Sequence, residues 1–264
     1  SMAQIAMLYD SSKCTACRGC QVACKQWNEL PATKTKNWGS YENPPDLSPY
    51  TWTRIRFIEK YESGQMKWLF LAQGCMHCTD AACVKVCPTG ALKHNAMGFV
   101  TLEQDLCNGC GYCTQFCPFH IPRLLTDALT GKGKSFKCTF CMDRVTNGEK
   151  PACVKTCPPG AFSFGERNEM IAKGRERVLT LQKNGYADAN LYGDVLLGGL
   201  GRMYVLLDKA GVYDLPTNPA SPALTHVWQD WVQPVVGISF GAAAVATVAA
   251  MAIARRNIRM EEVE

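Results

Sequence analysis

The chain carries sixteen cysteines, and they fall into four groups of four. Group one, CTACRGCQVAC, holds Cys14, Cys17, Cys20 and Cys24, and group three, CNGCGYCTQFC, holds Cys107, Cys110, Cys113 and Cys117. Group two (Cys75, Cys78, Cys83, Cys87) and group four (Cys138, Cys141, Cys153, Cys157) open with C-x-x-C, leave a longer gap, and end in nearly the same ten residues: ACVKVCPTGA at 82–91 and ACVKTCPPGA at 152–161. Disulfides need no fixed local spacing, and structural zinc takes paired C-x-x-C knuckles without triplets, so neither explains the pattern. The opening SMAQIAMLYDSSKC is too short and too polar for the apolar stretch of a secretory signal, which again favours thiols kept as ligands.

A cubane iron–sulfur cluster needs a thiolate at each of its four iron corners. Cysteines at i, i+3 and i+6 let one tight loop wrap three corners, while a fourth at i+10 starts a short helix pointing to a neighbouring cluster. Ala16, Gly19, Gly109 and Gly111 suit a backbone that comes close and turns N–H groups toward an anion. Pro88, Pro118 and Pro158 fix the exit turn after three of the groups; Lys25 stands there in group one. The spacing is that of bacterial two-cluster ferredoxins, met twice outright and twice with a widened gap, and four 4Fe-4S clusters would use every cysteine. The repeated decapeptide is then a duplicated ligand loop. If groups two and three pair, the crossing fourth cysteine gives one set of Cys75, Cys78, Cys83 and Cys117 and another of Cys107, Cys110, Cys113 and Cys87. Groups one and four then pair across the chain, as Cys14, Cys17, Cys20 with Cys157, and Cys138, Cys141, Cys153 with Cys24. Sequential pairing, one with two and three with four, is the rival. With every corner held by cysteine no iron is open to a substrate, so one-electron transfer is the expected work.

Between groups one and two, TWTRIRFIEKY and MKWLFLA alternate as strands joined by the turn-forming ESGQ, a predicted hairpin, and NPPDLSP before it is a proline-rich loop. The segment 166–184 places Met170, Ile171, Val178 and Leu181 at helical spacing, with Asn184 and Gly185 as its C-cap. MYVLLD reads as a strand. GGLGR at 198–202 has the wrong spacing for a phosphate loop and is expected to be an ordinary loop. The net charge of +5 is spread along the chain without aromatic interleaving, which argues against nucleic acid. Lys85, Lys155, Arg123 and Arg144 are candidates to tune cluster potentials, with solvated surface charge as the simpler expectation. His77, His94, His120 and His226 are too scattered to form a site and read as polar loop residues.

Residues 235–254, VVGISFGAAAVATVAAMAIA, carry no charge and have the length of a bilayer span. Pro234 precedes them, Trp228 and Trp231 are placed as an interfacial belt, and Gly237 and Gly241 form a small face for helix packing. Arg255, Arg256 and Arg259 follow. The expectation is one transmembrane helix in a bacterial inner membrane, with the cytoplasm on the tail side and the cluster domain on the periplasmic side. Since no export signal was read, a partner would carry the chain across.

CTACRGCQVACKQWNEL, NPPDLSPYTWTRIRF, GCMHC, CNGCGYCTQFCPFHIPR, KCTFCMDRV and EKPACVKTCPPGAFSFG together resemble the four-cluster iron–sulfur subunits of molybdopterin oxidoreductases, and among them the beta subunit of membrane-bound respiratory formate dehydrogenase. The NPPDLS segment, four complete cysteine quartets and the C-terminal helix narrow the likeness to that subunit. The resemblance implies the nested pairing, a catalytic partner with a bis-molybdopterin molybdenum or tungsten centre, and a membrane cytochrome b or comparable quinone-reactive partner. It implies an α+β fold of two ferredoxin-like halves, one from residues 1–74 and 126–165 and the other from 75–125. A C-terminal extension over 166–233, the transmembrane helix over 234–256 and a tail over 257–264 complete the expected architecture. The rivals are the equivalent subunit of a hydrogenase, polysulfide or dimethyl sulfoxide reductase, and a free-standing membrane-tethered carrier.

Overall fold

The computed structural model describes residues 4–62, 64–222, 225 and 232–257. Two compact units follow one another, Ser1–Ser221 and Pro222–Glu264. In the first, each cysteine group is strung between strands. β1 (Ile5–Asp10) leads into group one, whose last two thiols lie on α1 (Gly19–Trp27). β2 (Thr53–Glu62) and β3 (Gln65–Gly74) pair from Thr53↔Gly74 to Glu62↔Gln65, as the alternation predicts, and β3 delivers group two, which continues into α2 (Ala82–Lys85). The hairpin of β4 (Leu92–His94) and β5 (Val100–Leu102) precedes group three and α3 (Tyr112–Gln115). The hairpin of β6 (Arg123–Thr126) and β7 (Gly133–Phe136) precedes group four, which carries α4 (Met142–Thr146) and α5 (Ala152–Lys155) and exits into β8 (Phe162–Glu166). The two decapeptides fold alike: an ACVK helical turn, a glycine of positive φ (Gly90, Gly160), then a strand.

α6 (Arg167–Lys183) ends at the predicted Asn184 cap, and its first turn is capped by Glu166, whose carboxylate accepts from Glu169 N–H at 3.2 Å. β9 (Asn190–Tyr192) and β10 (Arg202–Leu206) complete a four-stranded sheet of order β8-β1-β10-β9, in which only β1 and β10 run parallel. Side chains alternate across it with period two. Ala6, Leu8, Met203 and Val205 meet Met170 and Leu181 of α6 on one face. Met7, Tyr9, Tyr204 and Leu206 enter the core on the other, with Cys20, Cys75, Cys138 and Cys153. β10 is therefore buried along its whole length. It also begins one residue before the expected strand, because Arg202 pairs with Met7 of β1.

In the second unit a helix spans Gln233–Asn257. The expected membrane anchor is corrected here: among the described residues no helix is long and apolar enough to cross a membrane. Eight of the twenty residues 235–254 are alanine, the best helix former but only weakly apolar, so the stretch secures a helix more firmly than a span. The inner-membrane placement, with its periplasmic and cytoplasmic sides, falls with the anchor. Trp228, Trp231, His226, Arg259 and nearly all of the tail lie outside the described residues.

Candidate metal centres

The backbone of all four groups makes the same move. The second residue after the first cysteine has positive φ in each: Ala16 (52°), His77 (48°), Gly109 (75°) and Phe140 (63°). That step aims the residue's own amide back at the thiol, so Ala16 N–H donates to Cys14 Sγ and Phe140 N–H to Cys138 Sγ, both at 3.4 Å. Amides turned inward in this way make an anion-binding concavity. Holding a non-glycine residue there costs on the order of 1–3 kcal/mol, strain that persists where a bound group needs it. Small size, expected of Ala16, Gly19, Gly109 and Gly111, is thus not the shared requirement, since a histidine and a phenylalanine make the same step. It is required at Gly109, where a Cβ would run into the Gly133 backbone at the start of β7; at Gly19 a Cβ would meet nothing closer than Cys17 Sγ at 3.6 Å.

Helix packing decides which groups meet. α1 packs against α5 and α2 against α3, bringing group one to group four and group two to group three. Three cavities lie among them, each ringed by four thiols. Cys24, Cys138, Cys141 and Cys153 surround the first, Cys75, Cys78, Cys83 and Cys117 the second, and Cys87, Cys107, Cys110 and Cys113 the third. The other four thiols are neighbours too. Burial raises the Cys14 thiol, hydrogen bonding with Tyr9 and Ala16 pulls it back, and Cys157 and Cys17 add repulsion. Cys20 is pushed up to about 12 by burial and then by Cys153 and Cys14. In each ring the thiols stand round a space: among the described residues no three His, Cys, Asp or Glu side chains close on a single ion. Such a ring fits the corners of a polynuclear cluster better than one tetrahedral metal.

Neighbour relations between the rings run in one order. Cys20 feels the charge of Cys153, Cys75 that of Cys138, and Cys83 and Cys117 that of Cys113. In the two outermost sets Cys17 and Cys110 are exposed; in the middle Cys24, Cys138, Cys141, Cys153 and Cys75 are buried, and Cys78, Cys83 and Cys117 are half-buried. Burial pushes Cys141 up to about 12 and Cys117 and Cys153 up to about 11. A thiol must give up that proton to ligate, and positive iron supplies the compensation.

The 4Fe-4S dicluster domain family matches the chain twice, over residues 13–91 and 66–167. The formate dehydrogenase-O iron-sulfur subunit of Escherichia coli is 42% identical over 249 residues, covering 93% of this chain and 82% of that protein. The formate dehydrogenase iron-sulfur subunit of Haemophilus influenzae is 41% identical over 266 residues, 99% of this chain and 84% of that protein. The chain belongs to the formate dehydrogenase iron-sulfur subunits. A shorter relative, formate dehydrogenase 2 subunit beta (cytochrome c-553) of Nitratidesulfovibrio vulgaris, is 41% identical over 184 residues, 66% of this chain and 81% of that one. As an iron–sulfur subunit of this family the chain is an electron-transfer component of an oxidoreductase complex, and its dicluster domains and sixteen cysteines account for four 4Fe-4S clusters. The family, the cofactor and the electron-transfer role read from the sequence are upheld.

Two cations of this iron–sulfur subunit escaped the sequence reading. Lys137 and Arg202 are 2% and 0% exposed. Lys137 Nζ donates to Val100 O at 2.6 Å and Cys138 O at 3.0 Å, close to Cys75 and Cys83; its only signal in the sequence is its place beside a cysteine. His77, expected to be a polar loop residue, is instead buried against Phe99 and Phe140, with Nδ1 accepting from Val100 N–H at 3.3 Å. Burial, with Lys137 and Arg202 nearby, holds its imidazole well below the usual range, so it is neutral. Of the four charges expected at the surface, Arg144 is buried, its guanidinium 4.2 Å over the Trp27 ring, because α4 packs it against α1. Lys155 is exposed, Lys85 pairs with Asp80, and Arg123 pairs at 2.7 Å with Asp46 of the proline-rich loop.

Proposed function

We propose that the chain is the wire between two other subunits of a formate dehydrogenase, taking up electrons at one end of a row of four clusters and releasing them at the other. The ligand sets are Cys14, Cys17, Cys20 and Cys157; Cys24, Cys138, Cys141 and Cys153; Cys75, Cys78, Cys83 and Cys117; and Cys87, Cys107, Cys110 and Cys113. The observation that carries the reading is the order of these sets, with an exposed thiol, Cys17 or Cys110, in each of the outer two and none in the two between. A row whose exposed thiols lie in its two end sets suits passage and not turnover. Each bound cluster supplies one reversible one-electron site. The residues around it turn amides toward the sulfurs, exclude water from the middle of the row and leave no corner for substrate, so the chain is non-catalytic by itself.

The donor in this reading is a molybdopterin-containing catalytic subunit that oxidises formate, and the acceptor a cytochrome b or similar quinone-reactive subunit. The two halves, residues 1–74 with 126–165 and residues 75–125, each hold one pair of clusters. The test is anaerobic purification with co-purifying partners, iron and acid-labile sulfide analysis, and rapid formate addition. Four clusters per chain, reduced by formate only while the catalytic subunit is attached, are expected. Reduction by formate of the isolated chain, or a zinc-loaded product without labile sulfide, would overturn the reading.

A further inference from the structure

Arg202 is the largest fully buried side chain among the described residues, and it stands on the cysteine-facing side of β10. It lines the cavity ringed by Cys24, Cys138, Cys141 and Cys153. Nη1 donates to Thr53 Oγ1 at 3.3 Å, and the guanidinium carbon lies 5.8 Å from the Phe162 ring centre. Nε and Nη2 have no hydrogen-bond partner among the described residues. The acidic groups that bear most on it are the Tyr204 phenol, which also hydrogen-bonds to it, and the Cys138 and Cys153 thiols; no carboxylate of the described residues forms an ion pair with it. Room for it is made on purpose: a Cβ on Gly74 would collide with Nη1. A guanidinium buried without a counter-ion is among the most costly things a core can hold, and such groups are kept where they face an opposite charge. Ligated by four thiolates, a cubane is an anion that becomes more negative on reduction. A fixed cation beside it therefore stabilises the reduced form more than the oxidised form.

We propose that Arg202 is a positioning residue for electron transfer, the fixed positive charge that raises the reduction potential of the cluster held by Cys24, Cys138, Cys141 and Cys153. This set adjoins both the Cys20 set and the Cys75 set, so a raised potential makes it the electron's resting place midway along the row. The inference rests on the ligand sets proposed above, and the test separates the two.

The test is a redox titration of the anaerobically purified full chain, followed by electron paramagnetic resonance, for wild type, Arg202→Gln, Arg202→Lys and Cys24→Ser. Cys24→Ser marks the signal belonging to the cavity. In Arg202→Gln the same signal is expected to become at least tenfold harder to reduce, a fall of about 60 mV for a one-electron couple, while Arg202→Lys stays near wild type. Should the glutamine variant lose that cluster, rescue by lysine supports the charge requirement, and loss in both overturns it. Four clusters at unchanged potentials in Arg202→Gln also overturn it. If Cys24→Ser instead perturbs a cluster that depends on Cys75, the ligand sets fail whatever Arg202 does.

Discussion

Gly109→Ala tests the geometry of the cysteine loops. Gly109 has φ 75°, and its would-be Cβ lies inside the Gly133 backbone. The left-handed conformation costs an alanine roughly 1–2 kcal/mol. Pushing β7 aside adds about 1–3 kcal/mol, the usual range for overpacking, because the obstacle is backbone and cannot rotate away. The total is about 2–5 kcal/mol, charged to one loop and not to the whole unit. At about 1.4 kcal/mol per tenfold, opening of that loop becomes at least roughly thirty-fold more frequent. The assay is an anaerobic chelator challenge followed by electron paramagnetic resonance, with each cluster's loss timed separately. The cluster of Cys87, Cys107, Cys110 and Cys113 is expected to go sooner than in wild type, while the loss times of the other three stay unchanged. Ala16→Gly is the matched control, since Ala16 makes the same step at φ 52° without that obstacle. Relief of strain there roughly cancels the added chain entropy of about 0.5–1 kcal/mol. Lifetimes in Gly109→Ala within threefold of wild type, or equal acceleration by Ala16→Gly, would refute the reasoning.

Cys24→Ser should disturb the cluster that also needs Cys138, Cys141 and Cys153 and leave the Cys75 set untouched; paired cysteine variants read spectroscopically decide, and sequential pairing gives the opposite dependence. Trp27→Ala removes the Nε1 bond to Asp143 (2.8 Å) and the ring beneath Arg144, which tie α1 to α4. About 1–2 kcal/mol should be lost, with the clusters of groups one and four bleaching earlier than those of groups two and three. Stripping iron should melt α2, α3 and α5 before the sheet. Helices of four residues have no stability of their own, whereas β1 and β10 are held by α6 and by each other. Hydrogen exchange of the stripped chain checks this: amides of 82–85, 112–115 and 152–155 lose protection while those of β10 keep it.

The cysteine quartets were legible in the sequence because a ligand loop is local. In groups one and three, three corners of a cube lie within seven residues of chain, so spacing alone specifies the loop, and for the wider groups two and four the echo between 82–91 and 152–161 specifies that it occurs twice. The β2–β3 hairpin and α6 were legible for the same reason: period and cap are properties of short stretches. The C-terminal stretch misled, because length and lack of charge say helix without saying how apolar its surface is. Small size in the loops misled too, since the backbone step at Ala16 is also taken by His77 and Phe140.

What the sequence by itself determined is the chemistry: sixteen thiols in quartets, hence four clusters and an electron carrier. What only the tertiary structure decided is adjacency. That α1 lies on α5 and α2 on α3, and that Cys20, Cys153, Cys138, Cys75, Cys83 and Cys113 follow one another through the core, depends on contacts between residues up to 133 positions apart along the chain (Cys20 to Cys153). Arg202 shows why such facts are hidden. In the sequence it is the last letter of a glycine-rich loop, and only its pairing with Met7 makes it the first residue of a doubly covered strand, where period two turns it toward the thiols.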